Sequence, residues 1–226
     1  MTAFPKLTAL IPMKWHSQRV PGKNVRPLCG KPLYHWIVEA LLQVPEVERI
    51  VIETDSERIA EDAMQRFPVT VLRRPRELLG NHITINPLLD FHLSQVDAPV
   101  YLQTHSTNPL LGPETIRHAI EAYRAPGNHD SLFSVTAIQQ RFYWPDGRAI
   151  NHDPNNLIET QRLTPLMVEN SCLYIFTKQS FYARHHRIGE KPLLFPTPPI
   201  ESVDIDNESD FTMAEKLMSQ RLVGQN

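Results

Sequence analysis

The basic residues near the start of the chain lie in a stretch without acidic residues. An apolar run, Leu7 to Pro12, has the length of a buried strand, and no acidic residue follows it before Glu39. Five basic residues lie in this interval: Lys14, Arg19, Lys23, Arg26 and Lys31. Pro21-Gly22 and Cys29-Gly30 are typical of turns, and Pro32 favours the start of a helix. A cationic loop between a first strand and a first helix can hold phosphates, with lysines, backbone N–H groups and the helix N-terminus facing the ligand.

Two other interpretations of this basic loop compete with phosphate binding of this kind. A run of charge can be a solvated connector with no ligand. Other phosphate-binding loops fit poorly, because the chain contains neither GxGxxG nor GxxxxGK[ST].

A pair of carboxylates near the end of the chain could hold a metal ion. Asp204 and Asp206 precede a predicted helix, and on an extended segment residues two apart point the same way. Val203 and Ile205 would then pack on the opposite side. Paired carboxylates are oxygen ligands suited to Mg²⁺, which also takes water and substrate phosphate. The alternative is an exposed acidic turn before a helix N-terminus, where acids are favoured anyway.

Composition limits the class of protein. The 226 residues predict one domain, and a net charge of −2 argues against nucleic acid or an anionic membrane as a partner. The two cysteines, Cys29 and Cys172, are far apart and outside metal-binding spacings. No apolar run approaches eighteen residues, and the N-terminus lacks the apolar core of a signal peptide. We therefore expect a reduced, cytoplasmic protein.

Apolar runs alternate with helical stripes along most of the chain. Strands are predicted at 7–12, 49–53, 69–72, 99–103 and 131–138, with amphipathic helices between them. This pattern is typical of an α/β fold with a twisted, mostly parallel, Rossmann-like sheet and helices on both faces. Gln103, Thr104 and His105 come at the end of the fourth strand, where such sheets bind ligands.

The pattern changes in the segment 139–169, which we expect to be an inserted arm on a single domain spanning residues 1–226. Arg141 to Ile150 predicts a hairpin around Pro145-Asp146-Gly147. Consecutive aromatic residues, Phe142 to Trp144, place apolar surface on both faces of a hairpin too small to bury it. This indicates an interface, although a dispensable loop insertion is the alternative.

The basic loop resembles a known nucleotide-binding loop. Residues 11–24, IPMKWHSQRVPGKN, align without a gap with the form IPARGGSKRIPGKN of the cytidylyltransferases that activate sialic acids, and more distantly with KDO cytidylyltransferases. Lys14 replaces the family arginine, Trp15 and His16 replace its glycines, and Gln18 replaces its first lysine. The resemblance implies the family's Rossmann-like fold and its reaction, in which CTP and a nonulosonic acid give a CMP-sugar and pyrophosphate.

The resemblance also implies roles for residues around the nucleotide. Lys14, Arg19 and Lys23 would hold the triphosphate, and Asn24 would orient a phosphate or ribose oxygen. In the segment RRPREL, similar to the family's RPAEL, Arg74 would read the cytosine base. VDIDNESDF resembles the family's IDIDTEEDF, so that Asp204 and Asp206 would hold Mg²⁺ or Mn²⁺.

Acceptor recognition is implied by weaker matches. LQTHSTNPLL resembles LLQPTSPLR, which suggests that Gln103 and Thr104 line the sugar pocket. Asn170 matches the family's NGAIYI strand, with Ser171 in place of the glycine, and Arg162 matches an arginine of the arm. In the family this arm exchanges with a second subunit and completes its sugar pocket, so we expect a homodimer.

Two further hypotheses remain open at this point. One is another sugar nucleotidyltransferase with a KDO-like acceptor. The other is a dimer that binds nucleotide without turning it over, an idea motivated by Gln18 and by the bulky residues Trp15 and His16.

Overall fold

The computed structural model describes residues 5–80 and 82–224. Its strands are β1 Leu7–Met13, β2 Pro27–Leu28, β3 Lys31–Pro32, β4 Val47–Thr54, β5 Thr70–Arg73, β6 Val100–Thr104, β7 Ser131–Ile138, β8 Leu166–Phe176 and β9 Pro192–Pro196. Its α-helices are α1 Leu33–Leu42, α2 Glu57–Arg66, α3 Ile85–Gln95, α4 Pro113–Arg124, α5 Lys178–Arg184 and α6 Glu208–Val223. Short 3-10 helices lie at Lys23–Val25, Arg76–Leu78 and Thr160–Arg162. Within the described ranges, no helix is both long and apolar enough to cross a membrane.

The long strands form one sheet in the order β5-β4-β1-β6-β8-β7-β9. Strand β1 pairs in parallel with β4 and β6, and β4 pairs in parallel with β5. Strand β8 runs antiparallel to both of its neighbours, and β9 pairs in parallel with β7. From β1 the chain proceeds to β4 on one side and later to β6 on the other. The strand order therefore reverses between β1 and β6, the place where open α/β sheets bind ligands.

Alternating side chains bury both faces of this sheet. Ala9 and Ile11 of β1 lie in a core shared with α1, α2 and α4, whereas Leu10 lies in a second core with α3 and α5. In β6, Leu102 belongs to the first core and Tyr101 to the second. This is the period of two expected of a strand buried on both faces. The predicted α/β class, with helices on both faces of a mostly parallel sheet, is confirmed.

Helix α6 covers the end of the sheet that carries the basic loop. Its inner residues Phe211, Ala214 and Met218 pack with Val20 and Leu28 of that loop in a third apolar cluster. The side chain of Asn207 accepts a hydrogen bond from the Asp210 backbone N–H, and Asp210 in turn accepts from the Asn207 backbone, a reciprocal cap. The acidic segment before α6 is thereby fixed against the basic loop.

Strand β9 was not predicted, and the reason is local. Proline stands at both of its ends, Pro192 and Pro196, and proline lowers strand propensity because it lacks an N–H donor. Among the described residues the strand pairs with β7 alone and so lies at the edge of the sheet, which is where proline is tolerated.

The predicted hairpin forms its turn without two regular strands. The backbone N–H of Trp144 donates to the Arg148 carbonyl at 2.8 Å, and a single bridge joins Tyr143 to Ala149. Side chains such as Asn151, which donates to the Gln140 carbonyl at 2.7 Å, hold the surrounding segment together. Tyr143 and Trp144 are 52% and 53% exposed. That this segment is a dimerisation arm stays a prediction.

A buried ion pair joins the carboxyl ends of three parallel strands. Both carboxylate oxygens of Glu53, in β4, accept from Arg74, which follows β5, at 2.5 and 2.8 Å. The same guanidinium lies 3.4 Å from the Met13 carbonyl at the end of β1. Burial alone raises the pKa of Glu53, but the His92 ring of α3, 3.4 Å away, and the hydrogen bonds from Arg74 bring it below its usual range. The ionised form of Glu53 is therefore favoured in the folded protein.

Glu53→Gln should lower the free energy of unfolding by about 3 kcal/mol, because it leaves the buried Arg74 guanidinium uncompensated. Since the folded-state pKa of Glu53 is depressed, its contribution is present above the unfolded-state pKa and is lost as the pH falls. The difference in free energy of unfolding between wild type and variant, measured by urea unfolding, should therefore become smaller below about pH 4.

The matched control is Glu57→Gln. Glu57 pairs with Arg73 at 2.5 Å on the surface, one residue before Arg74. An exposed pair of this kind contributes at most about 1 kcal/mol. If both variants lost the same free energy of unfolding, the buried pair would not be what stabilises these strand ends.

Candidate active site

A cavity of about 360 Å³ opens at the carboxyl ends of β1 and β6. Its walls come from the basic loop, from Arg74 after β5, from the start of α3, from residues 105–107 after β6 and from Asp206. It therefore lies at the reversal of strand order, as the sequence predicted for a ligand site.

Three of the five basic loop residues line this cavity: Lys14, Arg19 and Lys23. Arg19 is exposed and forms an ion pair with Asp206 at 2.6 Å. The Lys23 ammonium donates to the carbonyl of Ile205. Burial lowers the pKa of Lys23, while the neighbouring carboxylates of Asp204 and Asp206 oppose that shift. Cations and acids from opposite ends of the chain thus meet at one wall.

The other two basic residues point elsewhere. Arg26 donates to both oxygens of Glu208 on α6, and Lys31 pairs with Glu39 above the ring of Trp36. A short β2–β3 hairpin stands between the loop and α1, and the start of α1 is not among the described residues that line the cavity. The expectation that the α1 N-terminus faces the ligand is therefore wrong for this cavity.

Asn24 holds the loop in place. Its amide nitrogen donates to the Lys14 carbonyl at 2.8 Å, and its oxygen accepts from the hydroxyl of Ser106 at 2.6 Å. The side chain is buried at the cavity wall. This arrangement joins the β1 loop to the segment after β6, and contact between Asn24 and a nucleotide stays a prediction.

The bulky residues of the loop lie outside the cavity. Trp15 and His16 line a separate surface depression next to α2. The Trp15 backbone N–H donates to Asp55 at 2.6 Å, and its ring faces the guanidinium of Arg58, 5.8 Å from the ring centre. The replacement of two family glycines by these residues therefore leaves the space beside Lys14 and Lys23 open. Ser17 and Gln18 do line the cavity.

Arg74 lines the same cavity while it is bound to Glu53. One edge of its guanidinium, formed by Nε and one terminal nitrogen, donates to that carboxylate. A guanidinium carries a second terminal nitrogen with two further N–H groups. The geometry is therefore compatible with a base contact, which stays a prediction.

The predicted acidic pair comes together beside the basic loop. Ile205 is fully buried between the two aspartates, and its N–H donates to the Thr107 carbonyl at 2.9 Å, as expected for alternation along an extended segment. Asp206 faces the cavity. Asp204 lies deeper, and burial raises the pKa of its carboxyl, against which a hydrogen bond from Thr107 acts. Its Oδ1 is buried without a hydrogen-bond partner in the described part of the chain.

An orphaned carboxylate oxygen next to a half-exposed carboxylate fits a hard divalent cation. Mg²⁺ commonly takes one or two carboxylates and completes its shell with water and phosphate oxygens. Among residues 5–80 and 82–224, no group of three or more His, Cys, Asp or Glu side chains could hold a metal on its own. A metal bound by Asp204 and Asp206 would therefore depend on oxygens from substrate and water.

Gln103 and Thr104, predicted to line a sugar pocket, are fully buried. The hydroxyl of Thr104 donates to the Cys172 carbonyl at 2.7 Å. The amide of Gln103 contacts His105 and accepts from Arg187 at 2.7 Å. Neither residue is among those that line the cavity, whereas His105 is. Direct contact between either side chain and a sugar stays a prediction.

Sequence reasoning missed Arg187. It follows α5, only 9% of its surface is exposed, and it joins Gln103 to Tyr174, whose hydroxyl accepts at 2.7 Å. An isolated arginine after a polar stretch carries no sequence signal that it will be buried. Only the pairing of β6 with β8 brings its partners together.

Asn170 and Arg162 lie in different surroundings. The Asn170 amide nitrogen lies within 3.2 Å of the hydroxyls of Thr136, Thr197 and Ser202, so it joins β8, β7 and the segment after β9. Arg162 is exposed, with 74% of its side chain in contact with solvent, and pairs with Glu159 at 3.1 Å. Neither lines the cavity of a single chain. Their substrate-binding roles stay predictions.

Known proteins share this sequence pattern. A family model described as cytidylyltransferase matches residues 8–226. The chain is 33% identical to a CMP-N,N'-diacetyllegionaminic acid synthase of Legionella pneumophila, over 94% of this chain and 96% of that protein. It is 27% identical to N-acylneuraminate cytidylyltransferase A of Danio rerio, over 93% of this chain and 50% of that protein. The chain thus spans about half the length of the Danio relative.

The fold is also found in solved structures. A CMP:2-keto-3-deoxy-manno-octonic acid synthetase complexed with CTP matches with a TM-score of 0.70 and 18% identity, over 96% of this chain and 99% of that one. At this identity the likeness shows a shared fold. The family match, by contrast, runs continuously from β1 through the basic loop to the acidic pair and α6. This chain therefore belongs to the cytidylyltransferase family, which makes it a nucleotidyltransferase.

Proposed function

We propose that this chain transfers the CMP group of CTP to a nonulosonic acid. The oxygen of the sugar's anomeric hydroxyl forms a bond to the α-phosphorus and its proton passes to solvent. The bond from that phosphorus to the bridging oxygen breaks, and pyrophosphate leaves. The observation that carries the proposal is the cavity at the strand-order reversal, where Lys14, Arg19 and Lys23 line the wall together with Asp206. The carboxylate of Asp204 lies deeper, close enough to act on Lys23. Two relatives whose names refer to nine-carbon acidic sugars support this class of acceptor.

The basic loop would position the triphosphate. Transfer at a phosphate depends mainly on positioning and on neutralising charge, which Lys14, Arg19 and Lys23 supply. The exposed pair between Arg19 and Asp206 is of a kind worth at most about 1 kcal/mol, so a triphosphate can compete for this arginine. Lys23 is less exposed, and an anionic ligand would favour its charged form.

Asp204 and Asp206 would hold Mg²⁺ or Mn²⁺ beside the α-phosphate. The buried, unpartnered Oδ1 of Asp204 is the structural feature that fits a cation. When bound, the ion would polarise the phosphate oxygens and neutralise charge as the leaving group departs.

The acceptor side would involve a second copy of the chain. Exposed apolar residues concentrate in and next to the segment 139–169: Tyr143, Trp144, Ile150, Leu157, Ile158, Met167 and Val168. Such surface is typical of an interface, and a two-fold dimer is the commonest oligomer. Arg162 would then reach the partner's cavity and hold the acceptor carboxylate through a forked contact.

The structure removes one of the two reasons for the alternative hypothesis, a dimer that binds nucleotide without turning it over. Trp15 and His16 lie outside the cavity and do not block it. Only Gln18, which replaces a lysine at the cavity wall, still favours weakened catalysis.

Pyrophosphate release should be observed with CTP and Mg²⁺ when eight- and nine-carbon keto-acid sugars are offered in parallel, and it should be fastest with a nine-carbon acid.

Lys23→Ala should reduce pyrophosphate release strongly, because it removes a cation at the phosphates. Lys31→Ala is the matched control, since Lys31 pairs with Glu39 away from the cavity. If pyrophosphate were released only with an eight-carbon acid, the acceptor would not be a nonulosonic acid. If the two variants reduced release equally, the phosphates would not bind at Lys23.

Asp204→Asn and Asp206→Asn should each lower kcat on the order of a hundredfold or more, because a metal of this kind supplies several kcal/mol of transition-state stabilisation. Circular dichroism should show an intact fold. Wild-type activity should vanish with a chelator and return with Mg²⁺. Asp97→Asn, at an exposed residue paired with Lys178, serves as control. A fully active double Asn variant would exclude these residues as metal ligands.

Trp144→Ala should weaken dimerisation and raise the KM for the acceptor more than the KM for CTP, because aromatic residues carry much of the energy of interfaces. Arg162→Ala should raise the acceptor KM and leave the dimer intact. Arg148→Ala, at an exposed arginine paired with Asp146 in the same hairpin, is the control. Light scattering after size exclusion measures the oligomeric state, and a fully active monomer would contradict a shared pocket.

A further inference from the structure

Hydrogen bonds lead from the buried Arg187 to His105 on the cavity wall. The Nη1 group of Arg187 donates to Gln103 Oε1 at 2.7 Å and lies 3.3 Å from His105 Nε2. The Nε2 group of Gln103 lies 2.9 Å from the same ring nitrogen. His105 therefore meets two neighbours through one nitrogen while its ring lines the cavity.

The chemistry of these groups fixes the direction of each hydrogen bond. A guanidinium has only donors, so the oxygen of Gln103 must face Arg187 and its NH₂ group must face His105. His105 Nε2 then meets two donors and can only accept. The proton of the neutral ring must reside on Nδ1.

Arg187 is itself immobilised. Its other terminal nitrogen donates to the Tyr174 hydroxyl at 2.7 Å, and its guanidinium carbon lies 3.5 Å from the centre of the Tyr174 ring. The Glu169 carboxylate lies 3.4 Å away and also accepts from the Tyr174 hydroxyl. These contacts on three sides keep the arginine aligned with Gln103.

The electrostatic surroundings of His105 oppose a second proton on its ring. Burial is the main cause, and the charges of Arg187 and Lys23 add to it, which lowers the pKa of His105 to about 3. Such a ring stays neutral near pH 7 and is a poor proton acceptor. It remains a good hydrogen-bond donor through Nδ1.

We infer that His105 contacts the substrate by donating a hydrogen bond from Nδ1 to a phosphate oxygen of the bound nucleotide, and that Arg187 and Gln103 are positioning residues that fix its tautomer. The inference rests on the proposed function for the presence of phosphates in this cavity. Lys23 is close enough to act on the ring, so a phosphate that it holds lies in the same part of the cavity. Phosphate oxygens only accept hydrogen bonds, which suits a neutral donor.

The tautomer can be measured without substrate. In ¹⁵N-labelled protein, the His105 ring, assigned through its absence in His105→Ala, should show a protonated Nδ1 and an unprotonated Nε2, with no titration from about pH 5 to about pH 8. A proton on Nε2, or a ring that titrates in this range, would overturn the inference. This measurement needs no turnover, so its failure is distinct from failure of the proposed function.

Gln103→Glu tests the positioning role. It replaces the amide donor with a carboxylate oxygen that can only accept, so His105 Nε2 should become protonated and its ¹⁵N signature should change. An unchanged signature in the folded variant would show that Gln103 does not fix the tautomer. If this variant does not fold, the wild-type spectrum still decides the tautomer.

Kinetics test the contact with phosphate. His105→Ala should raise the KM for CTP roughly tenfold, the loss expected for a hydrogen bond to a charged group, with a smaller effect on kcat. His105→Asn, which keeps an N–H donor, should recover part of this loss. His118→Ala, at an exposed residue of α4, is the control. An unchanged KM for CTP in His105→Ala would overturn the contact even if the tautomer is as inferred.

Discussion

Ion pairs and hydrogen bonds of basic residues join the two ends of the chain at the cavity and beside it. Arg19 pairs with Asp206, Lys23 donates to the Ile205 carbonyl, and Arg26 binds both oxygens of Glu208. Each contact spans more than 180 residues of sequence. The cavity exists because β1 lies in the middle of the sheet and α6 returns across its carboxyl end. Separating these cations from the acidic segment would remove one wall of the cavity and disperse the groups that could bind phosphate and metal.

Local pattern was enough to predict the parts of the site that depend on local geometry. Asp204 and Asp206 were paired by the two-residue period of an extended segment, and the full burial of Ile205 between them follows the same rule. The position of the loop after a buried strand likewise follows from the apolar run and the turn residues. Long-range partners were not predictable in this way. Ser106, which binds Asn24, is 82 residues away, and its side chain gives no indication of that contact.

Two features show tertiary structure prevailing over local propensity. Ser171 has a φ of 58°, a left-handed conformation in the middle of β8, where the resembling family has glycine. Its hydroxyl lies 3.2 Å from the Tyr174 hydroxyl, and the neighbouring Asn170 amide nitrogen contacts three hydroxyls. These bonds hold a conformation that serine would not favour on its own. The edge strand β9 is the second case, because its position on the sheet tolerates the prolines that argue against a strand.

Exposure separates the arginines of the site into two kinds with different uses. Arg74 and Arg187 are buried and are held by hydrogen bonds to partners within the protein, so they suit a fixed frame. Arg19 is exposed, and its pair with Asp206 is weak enough to exchange for a ligand. A nucleotidyltransferase must bind a triphosphate firmly and then release pyrophosphate. In the proposed reaction, exchangeable cations at the phosphates would meet both requirements, because the buried pair of Arg74 and Glu53 keeps its geometry while Arg19 changes partners.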